Sequence, residues 1–296
     1  MSSLDSIFLA SAFTLVACAS ASTLAAQSPA DTTADATTAH SRVESGMTAG
    51  SLRYSGGRAE EAASALVRLR LSHAWSLSIE PTVAHATQPA TGTVASANIT
   101  GLTDIPVSLE VEHAFAGLLG PTFDFSLGGT LPVGRTSTGF GTGVFGASFD
   151  VGVGLSPTDK VSISASVGHA LSSVAAQSAF NGGASGWGDM GATLQATDRV
   201  SLLAGYSSDL GAVDSSYGRG RSVSAGISYA VAGPFALNFE TSRGLSGATP
   251  EWSAVIGIGT AFGSLDGARA LRSAFGGGRH GLNKSGSSSG RGRGHP

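Results

Sequence analysis

Residues 144–170 read VFGASFDVGVGLSPTDKVSISASVGHA. Every second residue from Phe145 to Leu155 is apolar, and so is every second residue from Val161 to Val167. The residues between them are Gly or Ser apart from one carboxylate, Asp150. A repeat of two is the period of a β-strand, whose side chains point alternately to opposite faces. Pro157-Thr158-Asp159 breaks the pattern with turn formers, because proline fixes φ and cannot donate to a ladder. The stretch therefore predicts a hairpin with one oily face and one face that is small and weakly polar. Gly and Ser make a poor solvent surface but a reasonable lining for an enclosed space.

The same alternation recurs along the chain. One phase is apolar in 64–73 (Ala65, Val67, Leu69, Leu71), 76–85 (Leu77, Ile79, Pro81, Val83), 103–113 (Ile105, Val107, Leu109, Val111) and 121–132 (Phe123, Phe125, Leu127, Leu131). Further on it is apolar in 187–196, 199–208, 220–230, 235–243 and 251–262. With the opening hairpin and a weaker segment at 47–54, about twelve strands are predicted. Their connections alternate in length. Residues 74–75, 114–120, 156–159, 197–198 and 231–234 are short links, whereas 55–63, 86–102, 133–143, 171–186, 209–219 and 244–250 are mostly longer and rich in Gly, Ser, Thr or Ala.

Alternation alone also suits a soluble sandwich. Three features favour a transmembrane antiparallel up-and-down β-barrel, an all-β fold with an even number of strands, over residues 47–262. The segments run about nine to twelve residues, the length of a tilted membrane strand rather than the five or six usual in soluble sheets. The apolar rows hold almost no charge, as they must where an Arg or Lys at mid-bilayer costs roughly 2–4 kcal/mol. Charged residues make up only 12% of the chain, about half the roughly 25% of soluble domains, and Gly reaches 43 residues. Aromatics fall near both strand ends, with Trp75, Phe115, Phe123, Phe235 and Phe262 at one and Tyr54, Phe145, Trp187 and Trp252 at the other, as two interfacial girdles require. His73, His85, His113 and His169 lie at strand ends in the lipid-facing phase.

The flanks differ from the middle. Ile7 to Ala19, IFLASAFTLVACA, has the length of a signal-peptide apolar core and is too short to span a bilayer, and Ala19-Ser20-Ala21 fits a cleavage site. Residues 1–26 are thus expected to be a signal peptide, directing the chain to the bacterial outer membrane, and 27–46 a flexible lead-in. Cys18, the only cysteine, lies inside the first segment, where it also fits a lipidation site. Residues 263–296 carry a net charge of +5 against −7 over 27–262, and their Gly, Ser and Arg content predicts a disordered basic tail. Its RGRG run suits phosphates, but in an exported chain the expected partners are anionic lipid headgroups or the cell wall, or none, and not nucleic acid.

Residues 102–170 resemble the family of outer-membrane barrels named for the MetA pathway of phenol degradation. The matching residues are Gly101-Leu102-Thr103-Asp104-Ile105, then Phe125-Ser126-Leu127-Gly128-Gly129-Thr130-Leu131-Pro132-Val133-Gly134, a loop GFGTG at 139–143 and the strand Phe145 to Leu155. The final IGIGTAF, ending at Phe262, is similar to a barrel-assembly signal, although 34 residues follow it here. The resemblance implies a transporter of small, hydrophobic or aromatic molecules.

No Cys/His cluster has metal spacing and no nucleotide-binding fingerprint appears, so no metal or cofactor is expected. His169 with Ser166 or Ser172 makes an imaginable lipid hydrolase, though no acid is placed to orient the imidazole. A secreted structural β-protein is the other alternative. The phase opposite the oily one gathers Arg53, Arg68, Arg70, Glu80, Asp104, Glu110, Glu112, Asp124, Asp150, Asp189 and Glu240. These are either the lining of a pathway, with an acidic excess that favours cations, or residues that pair across strands and fill the interior. The expectation is a passive channel without enzymatic activity, surrounded by outer-membrane lipids.

Overall fold

A computed structural model describes residues 42–90, 96–115, 119–138, 140–141, 143–171, 186–210, 219–232, 235–246 and 249–260. The expected signal peptide, Cys18, Ser172, Phe262 and the basic tail lie outside them. The strands are β1 (Arg42–Arg53), β2 (Ala59–Arg70), β3 (Trp75–Ile79), β4 (Thr82–Gln88), β5 (Ala97–Leu102), β6 (Ile105–Ala114) and β7 (Thr122–Leu131). They continue with β8 (Gly146–Thr158), β9 (Val161–Ala170), β10 (Gly186–Gln195), β11 (Val200–Leu210), β12 (Arg221–Ala232), β13 (Phe235–Gly244) and β14 (Trp252–Gly259).

Four of these segments are two interrupted strands. β3 and β4 both pair with β2 and are parted only at Glu80 and Pro81, where Ala65 N still donates to Pro81 O at 3.0 Å. Proline has no N–H to continue the ladder, and the phase runs through unchanged. β5 and β6 are the next strand. Between Val83↔Leu102 and Ile79↔Val107 the ladder advances four residues on one side and five on the other, so one residue bulges out near Thr103–Asp104. Twelve antiparallel strands result, each paired with its sequence neighbour, and β1 closes the ring by pairing with both β2 and β14. A closed barrel has no edge strand to protect.

Strand length sets the height. Ten residues, as in β7, β9 and β13, rise about 3.3 Å each and at a tilt near 40° span about 25 Å, the thickness of an outer-membrane apolar band. The outward phase fills that band: Val153, Ile163, Met190, Ile227, Phe239 and Ile256 are all exposed. Among the described residues no helix is long and apolar enough to cross a membrane. A wall this apolar on the outside and polar on the inside inverts a soluble barrel.

The turns at one end share a device. Ser72, Thr158 and Thr197 each accept, through the side-chain oxygen, the backbone N–H three residues on: Trp75 at 3.1 Å, Val161 at 3.1 Å and Val200 at 3.0 Å. Short hydroxyl residues stabilise tight turns in this way. Pro157 lies in β8 beside a register shift between Leu155 and Thr158, just before the turn it was expected to make. The alternation of short and long connections is present, but several boundaries differ from the sequence reading. β1 starts at Arg42 rather than 47, β2 starts at Ala59 within a predicted loop, and β5 occupies the end of the predicted 86–102 loop.

Candidate functional site in the barrel interior

Inward-facing side chains follow one row from strand to strand: Arg70, Ser76, Glu110, Ser126, Asp150, Gly168, Trp187 and Asp209 are aligned by register across β2 to β11. Hydroxyls in neighbouring rows pair across strands, Ser64 with Thr82 and Ser78 with Ser108 at 2.7 Å, Ser207 with Ser222 at 2.9 Å, and Ser242 with Ser253 at 2.6 Å. Those pairs satisfy the polar wall from within itself, which is why it can be uncharged over long stretches.

The interior is packed unevenly. Inward residues of β1, β2, β4 and β13, including Glu44, Thr48, Leu66, Arg68, Thr82, Asn238 and Glu240, are buried. Most of those on β6 to β11, including Ser108, Glu110, Ser126, Asp150, Ser164, Asp189 and Ser207, are only half-buried, although Asp124 and Leu203 are buried. Small neighbours keep side chains flat against that second wall. Asp124 lies over Gly152 and the Trp187 indole lies over Gly168, where any added Cβ would collide with them. Trp187 Nε1 donates to Asp150 Oδ2 at 3.2 Å, fixing the ring along the wall.

Charge is paired where it is buried. Arg70 Nε donates to Glu44 Oε1 at 2.8 Å, and the Arg68 guanidinium lies 3.9 Å from Glu44 and 4.0 Å from Glu110. Register sets Glu44 directly opposite Arg68. At the long-loop end Glu60, almost fully buried, is bound by Arg58 and by the Tyr54 hydroxyl at 3.4 Å.

The β7–β8 connection enters the barrel. Phe140 is 2% exposed and packs on Ala62, Ala84 and Ala86, with Ile99 beside them, and all four belong to the inward phase. The bulge explains how the loop is held. It turns Asp104 inward, where Oδ1 accepts the Gly134 N–H at 2.9 Å and its own N–H donates to Phe140 O at 3.2 Å. Gly134 and Gly141 touch backbone to backbone, which no residue with a Cβ allows. The loop thus covers the inner face of β2, β4 and β5.

Most predicted lining residues lie in the inward phase: Arg68, Arg70, Glu80, Glu110, Glu112, Asp124, Asp150, Asp189 and Glu240, with Glu112 and Asp124 directly opposite in register. Arg53 does not. It stands opposite Trp252 and Ala59 on the outward face, with its guanidinium carbon 5.8 Å from the Trp252 ring centre. Its position at the last residue of β1 let a long side chain sit outward at the strand rim, which the polar pattern misreads as inward. Trp187 and Tyr54 depart from the girdle in the opposite sense, both reaching inward groups. Glu44, Glu60, Asp209 and Phe140 were not foreseen. Extending the phase of Arg68 back to Ala59 would have found Glu60. His169 stacks on Phe149 outside the wall at 6.2 Å between ring centres, whereas Ser166 points inward, so that pair is divided by the sheet.

No family model matches the chain, and no curated protein matches it. Solved structures do. An outer membrane channel from Pseudomonas putida F1 superposes with a TM-score of 0.51 at 11% identity, over 79% of this chain and 99% of that one. The toluene transporter TbuX of Ralstonia pickettii covers 73% and 87% at 9% identity with a TM-score of 0.42. Outer membrane phospholipase A from Escherichia coli covers 73% and 91% at 8% identity with a TM-score of 0.40. The likeness to the first is one of fold: a closed, twelve-stranded outer-membrane barrel.

Proposed function

We propose that this barrel lies in the outer membrane of a Gram-negative cell, with its long-loop end outward, and lets small molecules pass passively. The observation that carries the reading is the uneven interior. Most inward polar residues along β6 to β11 are only half-buried, while the opposite wall is packed and covered by the Phe140 loop. A barrel built only as a membrane anchor has no need of a clear side, since twelve strands leave room for side chains to fill the middle. The half-buried acids on that strip, Glu110, Glu112, Asp150, Asp189 and Asp209, favour cationic or neutral solutes over anions. The resemblance to the phenol-degradation barrels adds aromatic molecules as the solute class. Purified protein that shifts on a heat-modifiability gel and gives discrete cation-selective steps in planar bilayers supports the proposal. A folded barrel that never conducts refutes the channel while leaving the fold untouched.

A further inference from the structure

A groove on the outside of the barrel has chemistry that neither the interior nor the lipid-facing belt uses. Register places Arg243, Trp252 and Arg53 side by side on β13, β14 and β1, all on the outward face at the long-loop end. The next outward row toward the middle of the barrel aligns Ala225, Thr241 and Ala254, and the row beyond it aligns Ile227, Phe239 and Ile256. Small side chains between two bulky rows leave a trough of about 480 Å³, topped by Val223, Arg243 and Trp252 and floored by Ala225 and Thr241.

Arg243 lines the trough and Arg53 stands at its rim beside Trp252, two cations against the single carboxylate of Glu251 at one end. Among the described residues neither Arg53 nor Arg243 lies within ion-pair distance of a carboxylate. The two cations share one sheet face with the strand of Trp252 between them, and the interior acids are cut off by the wall. An anion from outside the protein supplies the missing countercharge. Guanidinium forks match phosphate oxygens two at a time, and an indole face accepts the C–H edges of a sugar as readily as a cation. Arg243 and Arg53 stand on strands about 10 Å apart, with β14 between them. A headgroup with two phosphates spans that distance, while a single phosphate reaches both only if the two side chains fold over Trp252.

We propose that this groove binds the diphosphorylated sugar headgroup of an outer-leaflet glycolipid. Its phosphates lie against Arg53 and Arg243, and its acyl chains run past Ile227, Phe239 and Ile256. The inference rests on the membrane orientation proposed above. The test is native mass spectrometry of the full-length protein in detergent, titrated with diphosphoryl lipid A, monophosphoryl lipid A and phosphatidylethanolamine. Wild type is expected to retain one diphosphoryl lipid A, the Arg53→Ala/Arg243→Ala variant to bind it at least about tenfold more weakly, and the Arg53→Lys/Arg243→Lys variant to fall between, since Lys keeps the charge without the fork. Equal binding by wild type and the Ala variant overturns the site, and so does equal affinity for phosphatidylethanolamine. Full displacement by millimolar inorganic phosphate overturns the lipid assignment in favour of a soluble anion. Conductance and heat-modifiability, expected unchanged in both variants, separate these results from failure of the channel reading.

Discussion

Replacing Phe140 with Ala tests whether the β7–β8 loop limits the pore. The ring is buried against three inward alanines and Ile99, and truncating a buried Phe costs about 3–5 kcal/mol. The socket borders the lumen, so water can enter the vacated space, and the lower figure of about 3 kcal/mol is the better estimate. Among the other anchors of the loop are the two hydrogen bonds around Asp104, worth about 1 kcal/mol each. They must hold several residues whose ordering costs about 1–2 kcal/mol apiece. A loss of 3 kcal/mol moves the docked-to-free ratio more than a hundredfold, so a loop docked nearly all the time becomes free for much of it. Single-channel recording should then show a larger mean conductance with added substates, while Phe140→Leu gives a smaller rise. The barrel ladder is untouched, so the heat-modification temperature should barely move. If Phe140→Ala conducts as wild type does, with the same step size and noise, the loop does not set the passage and the reasoning fails.

Adjacent residues on β9 test which face meets lipid. Ala165→Arg places a cation on the outside near mid-band and should cost roughly 2–4 kcal/mol and cut assembled protein in membranes, whereas Ser164→Arg should fold and reduce conductance; equal assembly of the two contradicts the phase. Gly168→Val puts a side chain into the Trp187 ring, and overpacking of this kind costs about 1–3 kcal/mol, to be read as a lower heat-modification temperature. An unchanged temperature means Trp187 does not lie over Gly168. Glu44→Gln removes the carboxylate opposite the buried Arg68 and bonded to Arg70, and should destabilise by about 1–3 kcal/mol in urea titration. Because the pair is shielded from solvent ions, the loss should persist at 1 M salt, where the Debye length is about 3 Å; full rescue by wild-type behaviour in high salt points to a surface pair instead.

Much of this architecture was legible because membrane strands leave so little freedom. An outward residue between Ile and Val rows can hardly be charged, so the phase of β7 to β14 could be read directly from their apolar positions. Legibility failed at strand ends and wherever residues were small. Ala62, Ala84 and Ala86 carry no phase signal, because alanine suits either face, and so neither the start of β2 nor the socket for Phe140 stood out. β5 was hidden for the same reason in a Thr-, Ala- and Gly-rich stretch, and its bulge reverses the alternation just where a strand would have been recognised. Trp187 and Arg53 exchanged expected faces. An indole is as much at home over a glycine beside an aspartate as in a headgroup layer, and only the cross-strand partner decides between them. Single-chain pattern reads a side chain's own preference, not the neighbour it will meet.

The join between β1 and β14 has a consequence for how the chain is made. Ser45 N–H donates to Thr260 Oγ1, a bond between groups 215 positions apart. Tethering ends that distant costs about 5 kcal/mol in chain entropy, repaid only when the whole seam zips. Until Trp252 to Gly259 have been synthesised, β1 and β13 remain bare rims with unpaired amides, ready to add a stranger's strand. A chain cut short before that last segment is therefore expected to clump rather than settle into a smaller ring, and escort by a holding chaperone matters most in the interval before the eight residues of β14 arrive.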